Sequence, residues 1–131
     1  MIARILITLC VIIFAVIIPI LEVNASHVFN ASWPAHARFH EVWQLITNCG
    51  IGILCLWLAW LKNKVQLAST LVTLVMGGVL IAHGLQDVYG GSVLSGNMSK
   101  TILGMELAIV AAGLAIIMAV GAALLESRSK S

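Results

Sequence analysis

Residues 42–85 read VWQLITNCGIGILCLWLAWL-KNK-VQLASTLVTLVMGGVLIAHGL, and this stretch decides the fold. Two runs of about 20 residues, neither holding an Asp, Glu, Lys or Arg, flank Lys62-Asn63-Lys64. As helices rising 1.5 Å per residue, each crosses roughly 30 Å of hydrocarbon. A three-residue link leaves them no choice but to be antiparallel neighbours. Strands would leave backbone groups unpaired in lipid, and runs this long without alternation do not close a barrel.

The same reading extends outward. Residues 5–21 form a charge-free apolar run with Pro19 near its end, and residues 102–125 form a fourth. Over the 131 residues, 61% are hydrophobic and 9% charged, with a mean hydropathy of +1.09. An ordinary soluble domain carries roughly 25% charged residues, so lipid is the expected solvent. The predicted fold class is all-α: one integral membrane domain, an up-down-up-down four-helix bundle with a polar outer loop over residues 22–41. The few charges give no basic patch for nucleic acid.

Two features of the first run compete. Arg4, the apolar stretch and Val23-Asn24-Ala25 resemble a signal peptide with its cleavage site. The length of the run and Glu22 beside the cut favour a retained span. Lysine and arginine then set the orientation. With both termini cytoplasmic, Arg4, Lys62, Lys64, Arg128 and Lys130 lie inside, against Arg38 and Lys100 outside. The expected location is a cell membrane, the bacterial inner membrane, crossed several times.

Small residues mark packing. Gly104, Ala108, Ala112, Ala115, Ala119 and Ala122 make a stripe in the fourth span, and Gly77-Gly78 offers a similar approach in the third. Packing within the chain is the simpler use of that stripe, a homodimer seam the other. Cys10, Cys49 and Cys55 lie in apolar runs without a C-x-x-C and read as small hydrophobes.

The polar residues collect at the outer end. His27, His36, His40 and His83 lie there, with Glu22, Glu41, Asp87 and Glu106. Ser32 before Trp33-Pro34 is an expected helix start. At 100° per residue, His36, His40, Trp43, Gln44 and Thr47 then share one face that descends into the membrane, while Arg38 and Glu41 can pair on another. A polar stripe at that depth should meet protein or water. His83 and Asp87 are one turn apart, with Gln86 beside them. Glu106 is expected within the fourth span, where a carboxylate needs a partner. His27 and Trp33 fit an interfacial belt better than a site. Asn24-Ala25-Ser26, Asn30-Ala31-Ser32 and Asn97-Met98-Ser99 match the glycosylation triplet and are read as incidental.

These residues leave chemistry open. His36, His40, His83, Asp87 and Glu106 are the metal-ligand candidates, since histidines at i, i+4 can chelate. Neither H-E-x-x-H nor E-x-x-H is present, and no cofactor is named by any motif. The same groups could do acid–base work on a lipid-soluble substrate. The leading expectation is a pocket that binds a lipophilic molecule or seats a partner subunit. It draws on His36, His40, Trp43, Gln44, His83, Gln86, Asp87 and Glu106, with Glu22, His27, Asn30, Trp33 and Arg38 behind them.

Residues 27–40, HVFNASWPAHARFH, resemble the first outer loop of small bacterial four-span membrane proteins carrying H-x-F-N-x-x-W-P-x-H-A-R-F-H, a set similar to the DoxX-like group. The resemblance implies that His27, Asn30, Trp33, Pro34, His36, Arg38 and His40 are signature positions. It implies a quinone or redox partnership, for which this chain has no paired redox cysteines.

Overall fold

The computed structural model describes residues 1–94, 101–102 and 104–129. The triplet at Asn97, together with Lys100 and Lys130, therefore lies outside the described residues. The chain is mostly helical, and four helices are long and apolar enough to cross a membrane. They are α1 (Ile2–Glu22), α2 (Ala35–Leu61), α3 (Val65–Gly84) and α5 (Leu107–Arg128), with a short α4 (Gln86–Tyr89) after α3. A two-residue ladder, β1 (Thr101–Ile102) with β2 (Met105–Glu106), precedes α5 and is the one departure from an all-α chain among the described residues.

Helix α5 packs mainly on α3 and α1, and α2 also packs on α3 and α1. The core between them is small-residue and aliphatic: Ile7, Cys10 and Phe14 of α1, Cys55 of α2, Val72 and Met76 of α3, and Ala112, Ala115, Ala119 and Ala122 of α5 are all buried. The alanine stripe is thus consumed inside the chain, where missing side-chain bulk lets backbones approach. Gly104 is not part of it, because α5 begins later. Gly77 and Gly78 face open space as well, since a Cβ at either would meet nothing within 4 Å.

The crossing of α1 and α2 shows how the sequence builds a close contact. Pro19 has no N–H, so the Ala15 carbonyl four residues earlier loses its usual helical donor. Around it the helix widens into a π-turn at Ile13–Ile17. The Cys49 thiol of α2 donates to that carbonyl at 3.5 Å. One turn on, Gly52 lets α2 press onto α1, where a Cβ would stand 2.6 Å from Ala15 Cβ. Cys10 donates to Ala115 O (3.3 Å) and Cys55 to Ala68 O (3.7 Å), so each thiol bridges a pair of helices and does more than fill space.

One end of the molecule is basic and aromatic. Arg4 hydrogen-bonds to Asn63 and stacks over Trp60, Lys62 lies over Trp57, and Trp60 donates to Thr8 Oγ1 at 3.0 Å. Tryptophans and cations grouped this way mark a membrane–water boundary. The polar loop, α4 and the β1–β2 ladder occupy the other end.

Candidate functional site

Two assemblies occupy the loop end, and they differ in kind. The first is a latch. The side-chain oxygen Oδ1 of Asn24 accepts from Ser26 N (2.7 Å) and Ser26 Oγ (2.6 Å), and Asn30 Oδ1 accepts in the same way from Ser32 N (3.0 Å) and Oγ (2.6 Å). Both Asn-Ala-Ser triplets are therefore matching Asx turns, which explains their presence without any sugar. Ser32 is committed to Asn30 and does not cap α2. The helix starts at Ala35 instead, with Pro34 extended at ψ 143° before it and no side-chain cap.

These turns aim His27 inward. Its Nε2 lies 2.8 Å from Glu22 Oε2, its Nδ1 2.8 Å from Ser26 Oγ, and Trp33 meets the ring edge-on at 5.6 Å. Once the Ser26 hydroxyl proton goes to Asn24, Nδ1–H donates to Ser26 Oγ, and Nε2 shares a proton with the Glu22 carboxyl. His27 then has no lone pair left for a substrate. Glu22, Asn30, Trp33 and His27 hold the loop against the end of α1. Arg38 and Glu41, expected to pair, form no ion pair with each other and sit half-buried on the inward side of α2.

The second assembly is the stripe on α2. His36, His40, Trp43, Gln44 and Thr47 do share a face, and all are exposed. His36 and His40 meet Nε2 to Nε2 at 3.0 Å. Phe39 lies parallel to His36 (6.4 Å) and Trp43 nearly parallel to His40 (5.6 Å). Below them His40, Trp43, Gln44, Thr47 and Asn48 line a shallow groove of about 320 Å³. Asn48 adds to the face read from the sequence, since it follows Gln44 by one turn. Leu45, Gly52 and Cys55 face the opposite way, into the core.

The remaining candidates do not join this face. Helix α3 ends at Gly84, and Leu85 (φ −105°, ψ 2°) interrupts it before α4. That break puts His83 and Asp87 on separate helices, and no ion pair forms between them. His83 is half-buried with Nδ1 unpartnered among the described residues, Gln86 is half-buried and Asp87 exposed. Gly90, left-handed at φ 67°, closes α4. Glu106 is not inside the fourth span. It is the extended residue before α5 (φ −62°, ψ 137°), paired in the ladder with Thr101. Gly104, left-handed at φ 79°, provides the turn that puts it there. Among the described residues, no three His, Cys, Asp or Glu side chains gather as metal ligands.

No family model, curated protein or solved structure matches this chain. Function must be read from the site alone.

Proposed function

We propose that the chain crosses a bacterial inner membrane four times, up-down-up-down with cytoplasmic termini, and that the outer half of α2 recognises a lipophilic molecule with a hydrogen-bonding head, such as a quinone or a lipid. One observation carries this reading. Gln44, Thr47 and Asn48 line a groove that no other part of the described chain covers, on a helix apolar enough to cross a bilayer. If the membrane begins near Val42, these groups lie about 3–9 Å below its surface at 1.5 Å per residue. Hydrocarbon offers them no partner. A ligand headgroup does, while Trp43 supplies an apolar wall and His40 a donor or acceptor at the mouth.

A photoreactive short-chain ubiquinone analogue, added to protein in lipid nanodiscs, is expected to label the α2 groove. Replacing Gln44 and Asn48 together by leucine removes the polar match and should weaken binding about tenfold, equivalent to 1.4 kcal/mol. Unchanged labelling in that variant rejects the groove. A helix of another protein cross-linked at Gln44, with no quinone or lipid bound, would replace the ligand by a partner subunit.

The orientation is supported by the positive-inside rule, which assigns to the cytoplasm the segments holding Arg4, Lys62, Lys64, Arg128 and Lys130 over those holding Arg38 and Lys100. A membrane-impermeant maleimide should label Asn63→Cys only after the cells are permeabilised. Labelling in intact spheroplasts reverses the topology and moves the groove to the cytoplasmic leaflet.

A further inference from the structure

His36 and His40 carry more information than their exposure suggests. Their Nε2 atoms are 3.0 Å apart, their rings are nearly perpendicular (86°), and the ring centroids are 4.4 Å apart. A straight N–H···N hydrogen bond between two imidazoles would hold the centres about 5 Å apart. The rings therefore do not oppose each other along one line.

Two nitrogens sharing one metal ion at 2.0–2.1 Å stand about 2.9 Å apart when the bonds meet at a right angle, and about 3.4 Å apart at a tetrahedral angle. The observed separation fits the right angle. Copper(II) and nickel(II) prefer that geometry in tetragonal sites, whereas zinc(II) prefers the tetrahedron. Phe39 lies along His36 with ring centroids 6.4 Å apart, and Trp43 along His40 at 5.6 Å, so each imidazole has one aromatic neighbour on the same helix.

We propose that His36 and His40 form a bidentate site for a divalent late first-row transition metal of tetragonal preference, copper(II) or nickel(II), at the outer start of α2. No third His, Cys, Asp or Glu among the described residues completes the set, so the other positions fall to water or to small oxygen donors. Such a site is open and exchangeable. It shares His40 with the mouth of the groove, but the chelate needs only the two imidazoles and the helix that spaces them.

The test uses full-length protein in detergent, purified through a tag free of histidine, and titrated with copper(II) followed by electron paramagnetic resonance. One copper per chain is expected, with hyperfine coupling to two equivalent nitrogens. His36→Ala and His40→Ala should each weaken binding at least tenfold, whereas His83→Ala should leave it within twofold. The double variant His40→Gln with Glu41→His keeps the number of histidines but turns the second ring about 100° around the helix. It should also lose the site. All four positions, His36, His40, Glu41 and His83, are at the loop end and exposed or half-buried, and circular dichroism checks that each variant folds. Nickel(II) should bind at least as tightly as zinc(II). Copper binding that survives His36→Ala, an oxygen-only spectrum, or a severalfold preference for zinc over nickel would each overturn the proposal.

Discussion

Gly52→Leu is expected to keep α1 and α2 from closing and to destabilise the protein by about 3 kcal/mol, the upper end of the usual cost of overpacking. The reason is geometric. Even the first added carbon at Gly52 would stand 2.6 Å from Ala15 Cβ and 3.1 Å from Val11 Cγ1. Ala15 Cβ is fixed to the backbone and cannot swing away, so the helices must part. Their separation also takes the Cys49 thiol from the Ala15 carbonyl that Pro19 leaves without a donor. Gly50, two residues earlier, has no heavy atom within 4 Å of an added Cβ. Gly50→Ala should therefore not destabilise the protein, and helix propensity favours it by up to about 1 kcal/mol. Unfolding in detergent, followed by tryptophan fluorescence, separates the two. A Gly52→Leu protein that melts with the parent would mean that α1 and α2 do not cross there.

The second large effect concerns the latch. His27 and Glu22 keep only 11% and 16% of their side chains exposed and meet at 2.8 Å. Removing one partner leaves the other poorly solvated and without its match, whereas removing both leaves neither. His27→Ala and Glu22→Leu should each cost about 2–3 kcal/mol, below the 3–5 kcal/mol of a fully buried pair because some water reaches both groups. The double variant should cost clearly less than the sum, by 1 kcal/mol or more of coupling. The loop between Val23 and Pro34 should also become open to proteases in the single variants. Strict additivity in the double-mutant cycle would show that the two side chains do not act as a pair.

The four long helices were legible because a hydrocarbon-length apolar run has few competing explanations. The α2 stripe was legible for a related reason: from Ala35 to Leu56 the helix is unbroken, so a spacing of 100° per residue carries through. Inferences across a break failed. Leu85 splits the expected His83–Asp87 turn, and the turn at Gly104 takes Glu106 out of its helix. Neither sequence position looks like an obligatory stop, since Leu85 is apolar and one glycine can sit inside a helix. The latch was hidden differently. Asn-Ala-Ser reads equally as a sugar acceptor or as an Asx turn, and only the fold shows Asn24 and Asn30 committed to their own serines. The contact between His27 and Glu22 depends on both turns, so no local spacing announces it.

The three thiols have a practical consequence. Cys10 faces α5, Cys49 faces α1 and Cys55 faces α3, each with its sulfur over a carbonyl of the other helix. A sulfhydryl held this way reacts only when its own seam opens. Alkylation rates measured residue by residue would thus time the breathing of three separate helix pairs without any introduced label. Cys49, half-buried where the other two are fully covered, should be the first to report.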